Sequence, residues 1–340
     1  MTRERVRFGL WYDFRHPAPR AEPFESFYSS CLEQIAWAEE LGFESVWLTE
    51  HHFCEDGYTP SPLVIAGAIA ARTRSMRIGT NLMLLPIADP IRVAEDAAAV
   101  SILSGGRFDL GVGLGYRQME FDEFKVPIRN RPSRMEEGVE IIRRAWRGEP
   151  IRFSGRRFEI GDVAVGPVPE DPPRILMGGM SEPAIHRAAR IGDGFLSTGG
   201  IGHDIYRSAL AAEGRSGDIF AGHWAIVSPD PEAEARKLEP HILYQANNYI
   251  DWGAFGPPGE VPRFPTGRDA LNEGLYECWD ADTAIKELTR FLRDSPEIRD
   301  VHFWAQFPGE PVESGSRRIQ YMASEVLPAV RKALETSRES

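Results

Sequence analysis

The chain has 340 residues, 42% of them hydrophobic, with 51 acidic against 39 basic side chains and a formal net charge of −12. Such a surface repels phosphate backbones, which argues against a nucleic-acid partner, and no apolar run is long enough to span a bilayer, which argues against a membrane. Cys31, Cys54 and Cys278 form no disulfide framework, and Met1–Arg5 has no apolar segment behind it, so the expectation is a cytoplasmic protein with reduced thiols and no leader.

In chain order, Arg5 to Trp11 alternates as a first strand, and Glu25 to Leu41 places Phe27, Cys31, Ile35 and Ala38 at helical spacing. Ser45-Val46-Trp47-Leu48 reads as a buried strand. Where its apolar run stops, Glu50, His51 and His52 follow in a row. Pro60-Ser61-Pro62 opens a helix to Arg72, with proline tolerated in the first turn. Met76 to Leu85 is a third strand. Asp89-Pro90 caps and starts a helix to Leu103, and Gly105-Gly106 ends it. Arg107 to Val112 is a fourth strand. A helix from Arg131 to Arg147, a β-hairpin near 151–165 and a proline-rich linker lead to a strand at Arg174 to Met177. Further strands are expected at Gly192 to Leu196, Phe220 to Val227 and Asp300 to Ala305. The helices between and after them run from Ile205 to Glu213, Pro231 to Asn247, Ala281 to Leu292 and Ser316 to Ala333. Tyr249 to Asp280, rich in Gly and Pro, reads as an irregular lid. Alternating strands and helices argue for parallel βαβ units, and eight strand candidates favour a single α/β domain over 1–340, a closed (β/α)8 barrel with two insertions, the hairpin and the lid near 249–280.

In a parallel barrel, chemistry sits at the carboxyl ends of strands, and Glu50, His51 and His52 fall there. Adjacent strand residues point to opposite faces, so one histidine of the pair faces the pocket. Three readings stay open: a histidine bonded to loop backbone, a metal ligand together with Cys54, and a catalytic or cofactor-contacting base. No second ligand pair has metal spacing. Gly178-Gly179-Met180-Ser181 lies between a strand and a helix, where backbone N–H groups suit an anion, and equally reads as a plain turn with a serine cap. Gly111-Val112-Gly113-Leu114-Gly115-Tyr116 lacks the spacing and the following helix of a dinucleotide loop. Its glycines let a ring or phosphate lie against backbone. A buried Asn81 beside Leu82 needs partners, from a ligand or from loop backbone. Asp109 and Glu120 read as structural or solvated, and Trp11, Tyr12 and Phe14 suggest an apolar pocket.

Thr49-Glu50-His51-His52-Phe53, Gly79-Thr80-Asn81, Pro86 with Asp89-Pro90-Ile91-Arg92, Leu103-Ser104-Gly105-Gly106-Arg107-Phe108 and Met177-Gly178-Gly179-Met180-Ser181 occur in one order. Together they resemble the bacterial luciferase-like flavin-dependent monooxygenases, over most of Arg5 to Gly194. The resemblance implies a (β/α)8 barrel that binds reduced FMN, or in one branch a deazaflavin, and forms a homodimer. It matches His51 to a histidine that lies by the flavin and works as a base, and His52 to its neighbour. It matches Asn81-Leu82 to a non-prolyl cis peptide under the ring, and Gly178, Gly179, Met180 and Ser181 to the phosphate loop. Gly113 and Leu114 stand where luciferase has a cysteine and a phosphate-touching arginine, for which Arg117 or Arg174 is a candidate substitute. Ser101 stands where many members carry aspartate.

The expected function is a monooxygenase that uses reduced FMN and molecular oxygen on a small, largely apolar substrate. His51 and His52 are the catalytic candidates. Asn81, Leu82, Gly113, Gly115, Tyr116 and the 178–181 loop would contact the cofactor. The absence of a nicotinamide motif fits a separate NAD(P)H flavin reductase as partner. The alternatives are a deazaflavin-dependent dehydrogenase or reductase on the same barrel and a flavin-binding protein without turnover.

Overall fold

The structure is a computed structural model that describes residues 5–19 and 22–336; the expectation made for the amino terminus falls on Met1 to Arg5, of which Met1 to Glu4 lie outside the described residues. Eight strands close into a parallel barrel in the order β1-β12-β9-β8-β7-β4-β3-β2. In chain order they are β1 (Arg7–Tyr12), β2 (Ser45–Leu48), β3 (Arg77–Thr80), β4 (Phe108–Val112), β7 (Arg174–Gly178), β8 (Gly194–Thr198), β9 (Asp218–His223) and β12 (Ile298–Trp304). The expected hairpin forms as antiparallel β5 (Ile151–Ser154) and β6 (Glu159–Val163). The helices are α1 (Phe24–Glu40), α2 (Pro62–Ala70), α3 (Pro90–Ser104), α4 (Gln118–Glu123), α5 (Arg131–Ala145), α6 (Glu182–Ile191), α7 (His203–Ala211), α8 (Pro231–Trp252), α9 (Gly267–Asn272), α10 (Ala281–Asp294), α11 (Val312–Tyr321) and α12 (Leu327–Thr336). None is long and apolar enough to cross a membrane.

Local chemistry accounts for the boundaries of α3. Asp89 accepts from the Ile91 and Arg92 amides, satisfying first-turn donors, and Gly105 closes the helix at φ 66°. Four expectations are corrected. The strand expected over Phe220 to Val227 is two: β9 ends at His223, and β10 (Ala225–Val227) leaves the barrel to pair with β11 (Glu277–Trp279). The third strand stops at Thr80, short of Leu85. A short helix, α4, does follow the glycine stretch, beginning at Gln118. The segment expected to be irregular is partly ordered: α8 runs on to Trp252, and Thr266 and Asp269 form a reciprocal capping box at α9.

Inside the barrel, two indoles face glycines. A Cβ on Gly79 would lie 2.4 Å from Trp47, and one on Gly222 would lie 2.5 Å from Trp11. Only a bare backbone leaves room for rings of that size in so narrow a lumen. At the amino ends of the strands, Asp109 accepts two bonds from Arg77 and two from Arg174, all between 2.7 and 2.9 Å. Burial alone would raise its carboxyl, but the Arg174 and Arg77 guanidiniums hold it below the ordinary value. Asp109 is thus structural, as its sequence context suggests.

Candidate active site

The chain beyond β2 is pinned to its neighbours: the Thr49 amide donates to Tyr12 O, the His51 amide to Thr59 O and the Asn81 amide to Leu48 O. This holds His51, 5% exposed, at the carboxyl end of the barrel. Its Nδ1 is 2.8 Å from Glu120 Oε1 and its Nε2 is 3.0 Å from the Tyr116 hydroxyl. Glu120, on α4, has no exposed surface. The same oxygen accepts the His52 amide at 2.8 Å, and Oε2 has no partner among the described residues. A carboxylate at Nδ1 fixes the proton there and leaves Nε2 as the acceptor of the Tyr116 hydroxyl. Desolvation pushes that hydroxyl well above its ordinary value, so it stays protonated. Glu120 is therefore neither solvated nor idle. Its neighbourhood of mixed charges hid it, because its partner lies 69 residues away.

His52 goes elsewhere. Its Nε2 is 3.0 Å from Glu50 Oε1, and its ring packs edge-on against Phe124 at 4.8 Å. The other Glu50 oxygen accepts the Leu84 amide. Of the two histidines, His51 alone is in the Glu120 to Tyr116 chain. Among the described residues no group of three or more His, Cys, Asp or Glu could hold a metal ion.

The Asn81-Leu82 peptide is cis. Asn81 finds its partners inside the barrel. Its Nδ2 is 2.8 Å from His302 Nε2, and its carbonyl accepts from Trp11 Nε1 at 3.1 Å. His302 Nδ1 in turn is 3.1 Å from Asp300, which also accepts from Trp47. Burial depresses the His302 imidazole, opposed by Asp300. His302 was not singled out from sequence, since a histidine inside a strand carries no local signal.

Leu82 is half-buried and flanked by glycines: a Cβ on Gly113 would sit 2.4 Å from it and one on Gly178 2.6 Å. Gly115, at φ 72°, turns the chain toward Tyr116. Met180 and Ser181 are exposed before α6, and the Ser181 hydroxyl makes no capping bond. An apolar platform between bare strand ends, next to an uncapped helix start, fits a flat ring with a phosphate tail. Both arginines considered for the phosphate make other contacts. Arg174 sits at the opposite end of the barrel on Asp109, and Arg117 donates to the His52 and Phe53 carbonyls and lies over Trp252 at 4.8 Å.

The last turn of α8 roofs the mouth. Trp252 lies 5.1 Å from the His51 ring and 5.1 Å from the Arg15 guanidinium. Tyr249 and Tyr58 meet through their hydroxyls at 3.1 Å. Of the residues expected to line an apolar pocket, Tyr12 turns outward to Gln34 and Phe14 packs on Tyr28. Only Trp11 faces the lumen, stacked on Trp304 at 4.4 Å.

A closed parallel barrel with a carboxylate-backed histidine at its mouth, beside a glycine-flanked platform, has the architecture of a barrel enzyme that holds a planar cofactor. Residues 6–280 match the family model of the luciferase-like monooxygenases, and the chain belongs to that family. It is 30% identical over 330 residues to an F420-dependent glucose-6-phosphate dehydrogenase of Kribbella flavida, covering 88% of this chain and 94% of that one. It is 33% identical over 161 residues to the 4-hydroxyprotoasukamycin monooxygenase of Streptomyces nodosus subsp. asukaensis, covering 47% and 43%. Several other curated relatives are matched over 46% to 63% of their length. In fold it is similar to the monooxygenase RslO1 of Streptomyces bottropensis, with a TM-score of 0.78 at 24% identity over 95% of this chain and 99% of that one. Named relatives of this family are thus oxidoreductases of two kinds, monooxygenases and F420-dependent dehydrogenases.

Proposed function

We propose that the chain is a monooxygenase that works with reduced FMN, delivered by a separate NAD(P)H flavin reductase, and that it acts as a homodimer on a small organic substrate. The observation that carries the reading is the Glu120–His51–Tyr116 chain at the mouth, beside the Leu82 platform. The platform and the start of α6 would hold the ring and the phosphate. Reduced FMN bound there would supply the two electrons that oxygen activation needs. His51 Nε2 accepts the Tyr116 hydroxyl and would take a proton through it or on its displacement by substrate, and Glu120 stabilises the imidazolium that then forms. The Trp252 and Tyr249 roof keeps water from the reacting groups.

A second reading, a deazaflavin-dependent dehydrogenase, is favoured by the nearly full-length similarity to the Kribbella flavida protein. There His51 Nε2 would take the hydroxyl proton of an alcohol. Anaerobic titration of the purified chain with reduced FMN and with reduced deazaflavin, followed by admission of oxygen, separates the two. Tight binding of reduced FMN and altered oxygen consumption support the first reading. Binding of the deazaflavin alone, with no effect on oxygen consumption, rejects it in favour of the second.

A further inference from the structure

Arg15 follows β1 and is 1% exposed. Its Nε donates to Asp56 Oδ2 at 2.6 Å, and that oxygen also accepts the Tyr244 hydroxyl at 3.0 Å. The rings of Tyr58, Tyr244 and Trp252 surround the guanidinium at 5.1 to 5.2 Å. Its two terminal nitrogens, Nη1 and Nη2, are buried and without a hydrogen-bond partner among the described residues. A guanidinium keeps its charge in a protein, and buried donors left unpaired are costly.

Further orphaned donors lie along the same wall. Gln245 Nε2, Trp224 Nε1 and Trp304 Nε1 are also buried without partners. Ring contacts join them to Arg15: Tyr58 meets Tyr249, Tyr249 lies 6.0 Å from Trp224, and Trp224 lies 6.1 Å from Trp304. Tyr276 links Gln245 to Trp224. The wall is rich in donors, so its natural complement is a ligand rich in acceptors.

We propose that Arg15 anchors a carboxylate of the substrate through Nη1 and Nη2, so that the substrate is an organic carboxylate rather than a wholly apolar molecule. The proposal deepens the reading of His51 as the reacting end and rests on it. Tyr58 and Trp252 each touch both Arg15 and the His51 ring, the latter at 4.8 and 5.1 Å. A molecule held at Arg15 therefore reaches His51 across one aromatic ring. The planar fork of a guanidinium matches a carboxylate through two parallel bonds. Asp56 pairs with the guanidinium and Asp13, which accepts the Arg15 amide, also acts on it, so the site already holds two carboxylates and admits little further negative charge. A monoanion suits that balance better than a phosphate dianion. The aromatic walls suit an apolar body behind the carboxylate.

The test compares benzoate with its neutral isostere benzamide on the purified full chain, read by tryptophan fluorescence and by thermal shift. Benzoate should bind at least about tenfold more tightly than benzamide, a difference of about 1.4 kcal/mol. Arg15→Lys, which keeps the charge but not the fork, should lose most of that preference. The double variant Arg15→Met with Asp56→Asn removes the ion pair, leaves Asp13 to be carried in its protonated form, and should abolish the preference. Equal binding of the two probes, no benzoate binding, or a preference that survives in both variants overturns the proposal. Titration of the same proteins with reduced FMN keeps the two readings apart. Intact FMN binding without benzoate preference defeats only the anchor, whereas benzoate preference without FMN binding supports the anchor and defeats the cofactor reading.

Discussion

Replacing Glu120 by glutamine removes one negative charge and almost nothing else. The oxygen that accepts from His51 Nδ1 and from the His52 amide has an equivalent in the amide, and the second carboxylate oxygen, which has no partner among the described residues, becomes the NH2. The fold should therefore tolerate the change, and a fully buried carboxylate is removed at little or no cost in stability. Proton acceptance at His51 should not tolerate it. A unit charge pair about 4 Å apart is worth about 4 kcal/mol at an effective dielectric constant near 20. Solvent at the mouth and rearrangement of Arg117, 3.9 Å from the same carboxylate, reduce this, and an expected loss of about 10- to 100-fold in turnover corresponds to about 1.4 to 2.8 kcal/mol. With the carboxylate gone, the imidazolium that forms when Nε2 takes a proton loses its counter-charge, so the rate falls. The assay is stopped-flow re-oxidation of the bound reduced cofactor in air, between pH 5.5 and 9, beside a thermal melt. His51→Ala gives the reference loss, about 10²- to 10⁴-fold. An unchanged profile in Glu120→Gln, with His51→Ala inactive, would refute the coupling of the two residues. Loss of melting temperature in parallel with the rate would reassign Glu120 to stability.

Gly179→Asp should weaken reduced FMN binding by more than about tenfold, since a carboxylate would face the phosphate at the start of α6. A Cβ there meets Ala184 at 2.6 Å, so Gly179→Ala is the control, and equal loss in both variants would count against a phosphate. Asp13 is raised by burial from 3.8 to about 6, with Arg15 opposing the rise. The folded state thus holds that proton more tightly than the unfolded one, and ionising the group costs stability as pH climbs through about 6. Asp13→Asn should therefore raise the melting temperature at pH 8, by up to about 3 kcal/mol of stability, with the gain gone below 3.8, as read by melts across pH; a gain that persists in acid would show that the carboxylate is not its source. Limited proteolysis should cut first within residues 253–266, the stretch between α8 and α9, and FMN with benzoate should slow the cut; earlier cleavage elsewhere would argue against a lid.

The barrel was legible because its signals are local. Asp89 before Pro90, Gly105 after Ser104 and the short apolar runs at Ser45–Leu48 and Arg174 to Met177 each act within a few residues, and the structure places a cap, a helix end and two strands there. His51 was legible through its position at a strand end. What stayed hidden is built from distant partners. Glu120 looks like any charged residue of a mixed stretch until α4 carries it under β2. The Asn81 amide takes a histidine 221 residues away, where sequence suggested a ligand or loop backbone. The helix that opens at Pro231 was legible through Pro240 to Asn247, but its last turn to Trp252 merges into the Gly- and Pro-rich stretch that reads as irregular, and the break between β9 and β10 falls at His223 and Trp224, where no proline or turn pair marks it.

The pairing of Trp47 with Gly79 and of Trp11 with Gly222 also bears on how this barrel can change over generations. Shrinking an indole alone opens a void, a loss of about 3–5 kcal/mol for truncation to alanine, and enlarging a glycine alone forces a clash, typically about 1–3 kcal/mol. Neither partner has a cheap first step, while the two together conserve volume. The lumen should therefore behave as a pair of linked loci, passing through a deep fitness valley or drifting only by near-simultaneous exchange. In a library that randomises all four positions, survivors should show strong covariation within each pair.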